Sequence, residues 1–378
     1  MAIADVGAVA PHLSRYEAFV RKVLLVGPFP PPYGGLGVQL CQWQRYLEAS
    51  KTYTCKVLNI GESRTMDVEG CISVTGNLAF LRQVFQYARN GYLIHLLTNG
   101  HNFKSWLSCV VCAAAGLVNR RQTLIVLGSG NTAGYLTQAG PMANIVMRLT
   151  LKLAGHVICR NEETRIALLQ RGASGDKVSI VPGYLGVDAS PALSLPDMVR
   201  DFVDTHEPVF GATASVDPEY GIPIMFALLE RLHSTYPRLG LILMGPSLDA
   251  VRSRYGPLPG NVLATGPLPH VSVIRSMQRL RLFLRPTDFD GDSISVREAL
   301  ALDIPVVASQ VGFRPPGVTL FPAGDLEAFV AAVGNVLLDD TDNTHASEPR
   351  ESSTPERLTK IYNQLFQSCE GTHATTRA

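Results

Sequence analysis

The stretch Leu284-Arg-Pro-Thr-Asp-Phe-Asp-Gly-Asp-Ser-Ile-Ser-Val-Arg-Glu-Ala-Leu-Ala-Leu-Asp-Ile-Pro-Val-Val-Ala-Ser309 carries a strand end, a polar loop, a helix and a second strand in one run. Residues 281–284 read as a buried strand, and Ser293 stands where a helix over 294–301 needs its cap. Residues 306–308 read as the next strand. A strand, a crossover helix and a parallel strand make the unit of an α/β sheet. In open sheets of that kind, ligands bind beyond the carboxyl ends of the strands.

That placement gives the residues of the loop their chemistry. The N–H groups of Ile294 and Ser295 would face the cleft at the helix start. Glu298 lies over a turn further in, where a buried carboxylate suits two hydroxyl donors such as a ribose diol. A solvated helix start is the plainer alternative. Asp290 stands eight residues before Glu298. A helical rise over that span is about 12 Å, beyond the roughly 5–9.5 Å of paired glycosidase carboxylates. The two acids are therefore expected to have separate partners. Asp288, Asp290 and Asp292 alternate, but the sixth and twelfth positions of a calcium loop would be Ser293 and Ala299, so that template fails. A simple Asp-x-Asp magnesium site stays open; the expectation is no metal.

The same alternation runs outward in both directions. Strand patterns occupy 22–26, 55–60, 92–97, 123–127, 156–159 and 177–181, then restart at 209–213, 240–244 and 262–264. Helix patterns follow at 37–48, 222–236, 248–255 and 270–278. Residues 183–207 look irregular and place a boundary between an N-terminal unit over 1–190 and a second over 191–350. Past a polar linker, Leu358, Ile361, Tyr362, Leu365 and Phe366 make the stripe of one amphipathic helix over 351–370, with Ser353 or Thr354 as its cap and a tail over 371–378. The 378 residues are enough for two such units at about 100–200 residues each.

Composition excludes several functions. Thirty-three Lys and Arg against 32 Asp and Glu leave no basic footprint for nucleic acid. The longest apolar run, 107–118, is short of the ~20 residues of a membrane span, so a span is excluded and a peripheral membrane contact stays open. Seven scattered Cys and no charged signal segment point to a cytoplasmic protein with reduced thiols. The pair Cys109 and Cys112 reads as two core residues of one helix, with zinc or redox chemistry as the alternative.

Two further loops carry candidate chemistry. Residues 27–37, Gly-Pro-Phe-Pro-Pro-Pro-Tyr-Gly-Gly-Leu-Gly, join the first strand to the first helix. Gly34 and Gly35 permit positive φ and close backbone approach to a phosphate at that helix N-terminus; a plain turn is the alternative. His101 follows a strand and suits a base, a substrate contact or an ordinary surface histidine.

Taken together, the 27–37 loop, the two halves, the acids Asp290 and Glu298, and the segment 299–309 resemble the GT-B retaining glycosyltransferases of family 4, over about residues 22–366. The resemblance implies an α/β fold of two Rossmann-like domains facing across a cleft, with the last helix crossing back to the first. It implies a metal-independent transfer from a nucleoside-diphosphate sugar, with no cofactor, to a glycan, lipid-linked or small-molecule acceptor. Carried over, Glu298 would hold the ribose hydroxyls and Asp290 the hydroxyls of the donor sugar. Gly34 and Gly35 would approach the diphosphate, and backbone at Ser293 and Ile294 would support sugar and phosphates. The chain departs from the family pattern at two places: Ser215 and Tyr220 stand for its Arg and Lys, and Gly128 for its histidine. Arg285 is the candidate to replace that clamp, with Arg314 in reserve; a surface arginine paired with Asp288 is the alternative. A sugar-nucleotide epimerase or hydrolase, and a non-catalytic partner subunit, are the competing functions.

Overall fold

Apolar runs such as residues 23–26 and 124–127 suit strands covered on both faces, and in the structure their side chains are at most 3% exposed. The structure is a computed structural model that describes residues 20–31, 33–120, 123–183, 186, 195–338 and 354–374. Its first sheet contains β1 (Arg21–Gly27), β2 (Tyr53–Asn59), β3 (Ile72–Ser73), β4 (Leu93–Thr98), β5 (Thr123–Leu127), β6 (His156–Cys159) and β7 (Val178–Ile180). These strands are all parallel, in the order β3-β2-β1-β4-β5-β6-β7. Between them run α1 (Gly35–Ala49), α2 (Asn77–Arg89), α3 (Phe103–Gly116), α4 (Thr132–Gln138), α5 (Pro141–Leu153) and α6 (Glu162–Gln170).

The second sheet has β8 (Val209–Thr213), β9 (Gly240–Met244), β10 (Val262–Ala264), β11 (Leu282–Arg285), β12 (Val306–Ser309) and β13 (Val318–Phe321). It too is parallel, in the order β10-β9-β8-β11-β12-β13. Its helices are α7 (Asp197–Thr205), α8 (Ile222–Leu232), α9 (Leu248–Tyr255), α10 (His270–Met277), α11 (Ile294–Ala301) and α12 (Leu326–Leu338). The fold is the expected one, two parallel Rossmann-like α/β domains with GT-B architecture.

Three boundaries differ from the sequence reading. Helix α7 lies inside the stretch expected to be irregular, because Val199, Phe202 and Val203 form an i, i+3, i+4 stripe that packs on the second sheet. Helix α8 stops at Leu232, and the chain turns there, with the N–H groups of Thr235 and Tyr236 bonded to its carbonyl. The last helix, α13 (Thr354–Ala374), continues past Gly371 into the expected tail. Ser353 and the linker lie outside the described residues.

Two layers cover the first sheet. Helices α2, α3 and α5 pack on one face around Trp106, Cys109, Cys112 and Met147. Burial pushes both cysteine thiols up, so they act as core residues rather than as thiolates. On the other face lie α1, with Leu40, Trp43 and Leu47, and α13, with Leu358, Ile361, Tyr362 and Leu365. The final helix thus crosses back from the second domain to the first. Tyr362 Oη and His95 Nδ1 share a 2.6 Å hydrogen bond inside that layer.

Strand order places the site. Each sheet changes direction between two neighbouring strands, β1/β4 in the first and β8/β11 in the second. Loops leaving the carboxyl ends of such a pair diverge to opposite faces and open a crevice. Those loops are 28–34, 99–102, 214–221 and 286–293.

Candidate functional site

The second-domain wall is built on arginines. Arg285 ends β11, and its Nη1 donates to the carbonyl of Thr213 at the end of β8 (2.9 Å). Its Nε donates to Asp290 Oδ2 at 2.9 Å. Its guanidinium lies 5.2 Å from the ring centroid of Tyr220. Arg314, from the loop after β12, reaches the same Asp290 oxygen at 2.8 Å and donates to Thr287 Oγ1 and the Ser309 carbonyl. Burial alone would raise the Asp290 pKa, but the two arginines overcome it and hold the carboxyl well below the usual carboxylate range. Asp290 Oδ1 accepts the N–H of Gly291.

Arg285 is therefore neither a surface side chain nor the partner of Asp288. It is nearly buried and fixed by Asp290, while the Asp288 N–H donates to the Glu219 carbonyl. Tyr220, from the loop after β8, lies directly against it. Gly221, at φ 68°, closes the tight turn after Tyr220; a Cβ there would stand 2.1 Å from the Pro286 carbonyl oxygen.

Helix α11 gives the next layer. Glu298 is 3% exposed, and its Oε1 lies 2.6 Å from His270 Nε2 at the first turn of α10. As expected, Asp290 and Glu298 have separate partners. Ser293 occupies the N-cap position, yet its hydroxyl makes no cap bond. It lies 3.2 Å from Ser295 Oγ, which in turn accepts from Thr213 Oγ1. Asp292 accepts from Arg297 Nε at 2.6 Å, and its Oδ2 is a buried oxygen that no side chain or backbone group satisfies among the described residues. No group of three His, Cys, Asp and Glu side chains arranged for a metal occurs among those residues.

The first-domain wall meets this one closely. Gly34 precedes α1 with φ −76°, so neither it nor Gly35 uses the positive φ that the sequence suggested. What the glycines provide is clearance. A Cβ on Gly34 would meet nothing within 4 Å, and one on Gly35 would touch only Ile294 Cδ1, at 4.0 Å across the cleft. Gly128 has no room for a family-type histidine unless Leu36 moves, since its Cβ would come within 2.2 Å of Leu36 Cδ2. His101 Nδ1 is 2.8 Å from Ser129 Oγ. Burial lowers the His101 pKa, opposed by the charge of Glu219 on the facing loop. At Gly130 the two walls touch backbone to backbone, where an added Cβ would stand 2.3 Å from the Asp290 carbonyl.

Three participants were not visible in the sequence. His270 is far from Glu298 along the chain. Arg160, after β6, donates to Val181 and to Gln39 Oε1, and burial pulls its pKa down to about 10 against the pull of Asp292. Gln39 donates onward to the Gly183 carbonyl. A charged residue directly after a first-sheet strand was the available signal for Arg160.

Residues 207–339, the span from just before β8 through α12, match the family model Glycosyl transferases group 1. HepE from Anabaena, solved in complex with UDP-glucose, is 19% identical over 94% of this chain and 99% of its own, with a TM-score of 0.61. Sucrose-phosphate synthase from Thermosynechococcus elongatus is 17% identical over 94% and 98%, with a TM-score of 0.60. A UDP-N-acetylglucosamine 2-epimerase structure from Listeria monocytogenes, itself described as putative, is 14% identical over 92% and 97%, with a TM-score of 0.63. Against curated protein sequences there is no match. The whole-chain likeness establishes the GT-B fold. With the match over the second domain, it supports a place in the GT-B glycosyltransferase superfamily.

Proposed function

We propose that this chain is a retaining glycosyltransferase of the family 4 kind. It would take a nucleoside-diphosphate sugar into the cleft and pass the sugar to a glycan, lipid-linked or small-molecule acceptor, without a divalent ion. The observation that carries the reading is that the segment matching Glycosyl transferases group 1 holds Arg285, Asp290, Ser293, Ile294 and Glu298, all on the wall at the second sheet's switch point. Glu298, oriented by His270, takes the ribose hydroxyls. Asp290 spends Oδ2 on the arginines and keeps capacity at Oδ1 for a sugar hydroxyl, since a carboxylate oxygen accepts more than one bond. Arg285, with Arg314 beside it, neutralises the charge that grows on the departing diphosphate. His101, kept neutral by burial, contacts the sugar or the acceptor from the other wall. During transfer the bond from the anomeric carbon to phosphate oxygen breaks and a bond to the acceptor oxygen forms on the same face. The acceptor's proton leaves with the diphosphate.

A complex with UDP-glucose in one similar structure makes UDP-sugars the first donors to try. The epimerase-like neighbour keeps a second reading in view. Incubation of UDP-sugars with and without acceptors separates the two. Product that forms only with acceptor, with its anomeric configuration kept, supports transfer; conversion of the donor alone supports the epimerase or hydrolase.

A further inference from the structure

Helices α2, α3 and α5 leave one continuous outer face on the first domain. Three of the four most exposed large apolar side chains among the described residues lie on it: Leu78 at 83%, Met142 at 68% and Ile145 at 64%. Phe103 and Leu107 on α3, and Leu149 on α5, extend the patch. These side chains do not substitute for a missing core, because Trp106, Cys109, Met147 and Leu151 already fill it from the opposite sides of the same helices. A surface helix ordinarily turns polar side chains outward; α5 turns apolar ones both ways. Single exposed hydrophobics are ordinary, but a contiguous set marks an interaction surface.

The charges on this face are all of one sign. Arg82, Arg89, Lys104, Arg148 and Lys152 belong to these three helices, and no Asp or Glu occurs anywhere between Glu69 and Glu162. Over the whole chain, 33 basic residues balance 32 acidic ones. The face therefore reflects segregation of charge, not a basic protein. Apolar side chains among lysines and arginines fit an anionic bilayer surface. The former enter the boundary between headgroups and acyl chains, while the latter sit at the level of the phosphates.

We propose that the α2–α3–α5 face docks this protein on a membrane surface rich in anionic phospholipid. No helix among the described residues is long and apolar enough to cross a membrane, so the contact is peripheral. Helix α3 begins two residues after His101, which brings the docked face up to the mouth of the cleft. The proposal stands apart from glycosyl transfer, and its test needs no donor or acceptor.

The full chain is sedimented with vesicles of phosphatidylcholine alone and of phosphatidylcholine mixed with phosphatidylglycerol. Binding is expected only to the mixed vesicles, and to fall as salt is raised. Arg148→Glu with Lys152→Glu, and separately Ile145→Glu with Leu149→Glu, should each lower the bound fraction about tenfold or more. Leu320→Glu, on the exposed edge of the second sheet, should bind as the parent does. The parent's dependence on headgroup and salt reports independently of whether any variant folds. A parent that stays in the supernatant with every vesicle overturns the proposal, as does binding that neither double variant reduces.

Discussion

Glu298 Oε1 lies 2.6 Å from Nε2 of His270, and both side chains are nearly buried where α11 and α10 face each other. One carboxylate oxygen is thereby committed to a protein partner, which fixes the direction of the other. Hydrogen bonds to a charged group contribute about 1.5–3 kcal/mol each. Glu298→Gln should weaken UDP binding at least tenfold, by roughly 1.4 kcal/mol or more, with little change in melting temperature. His270→Gln should produce a smaller loss of the same sign, because it frees the acid without removing it. Calorimetric titration with UDP decides: parent-like affinity in Glu298→Gln would remove the residue from the nucleotide site.

His95 supplies a prediction about pH. Its ring is pushed by burial down to about 3, with the charge of Arg160 acting in the same direction. Histidine in an unfolded chain titrates near 6.5. Below that pH the unfolded state takes up a proton that the native state refuses, so this contribution to stability is complete above about pH 6.5. It is lost as pH falls from there toward 3, by up to about 1.4 kcal/mol per pH unit. His95→Gln should therefore show a shallower fall in urea midpoint between pH 7.5 and pH 4.5 than the parent, whatever its midpoint at neutral pH. Parallel pH dependences would show that His95 does not control acid sensitivity.

Donor turnover should survive removal of divalent ions. Two of the three acids that alternate through 288–292 are directed elsewhere, Asp290 onto Arg285 and Arg314, and Asp292 onto Arg297. Dialysis against EDTA is expected to leave the rate unchanged. A loss restored by magnesium or manganese would instead promote these aspartates to metal ligands.

Local pattern revealed what local physics controls. Apolar runs of strand length, the helix start at Ser293 and the stripe from Leu358 to Leu365 are set by period and by neighbours in sequence, and the sheets follow from them. Partners brought together by the fold were not legible. Nothing near Glu298 announces His270, and nothing near Arg285 shows that Asp290 rather than Asp288 lies along its side chain. Arg314 could be named only as a reserve, because its reach back to Asp290 depends on the loop after β12. Gly34 and Gly35 were legible as special positions, though for clearance and not for their dihedral angles.

Gly130 and Gly291 are the place where the walls meet. A Cβ on Gly130 would fall 2.3 Å from the Asp290 carbonyl carbon and oxygen and 2.4 Å from the Gly291 nitrogen, all backbone atoms that cannot swing aside. Gly130→Ala should hold the two domains apart. A drop in kcat of tenfold or more is expected, since misplacing reacting groups by about 1 Å costs on the order of a hundredfold, while UDP binding to the second domain is largely kept. Gly134→Ala, whose Cβ would meet only the flexible Asn131 side chain, is the control. Unchanged turnover in Gly130→Ala would mean that this contact does not close the site.

Arg285 carries the prediction that most directly tests the donor site. The loop over 215–221 offers no Lys or Arg, yet a diphosphate leaving group develops charge that a water-poor cleft must neutralise. Arg285 sits against Tyr220, and its Nε and Nη1 are held by Asp290 and Thr213. A guanidinium fixed in this way loses less entropy on binding phosphate than a mobile one does. Arg285→Ala should weaken UDP about tenfold to a hundredfold, as expected for one or two charge-assisted hydrogen bonds, and should leave uridine nearly unaffected. It also strips one partner from a buried carboxylate, so Asp290→Asn is measured alongside: it keeps Arg285 but loosens it, and should fall between parent and Arg285→Ala for UDP. Titrations with UDP and with uridine are compared for each variant at equal folded fraction. Equal losses for both ligands would assign Arg285 to the architecture of the loop and return the clamp to Arg314.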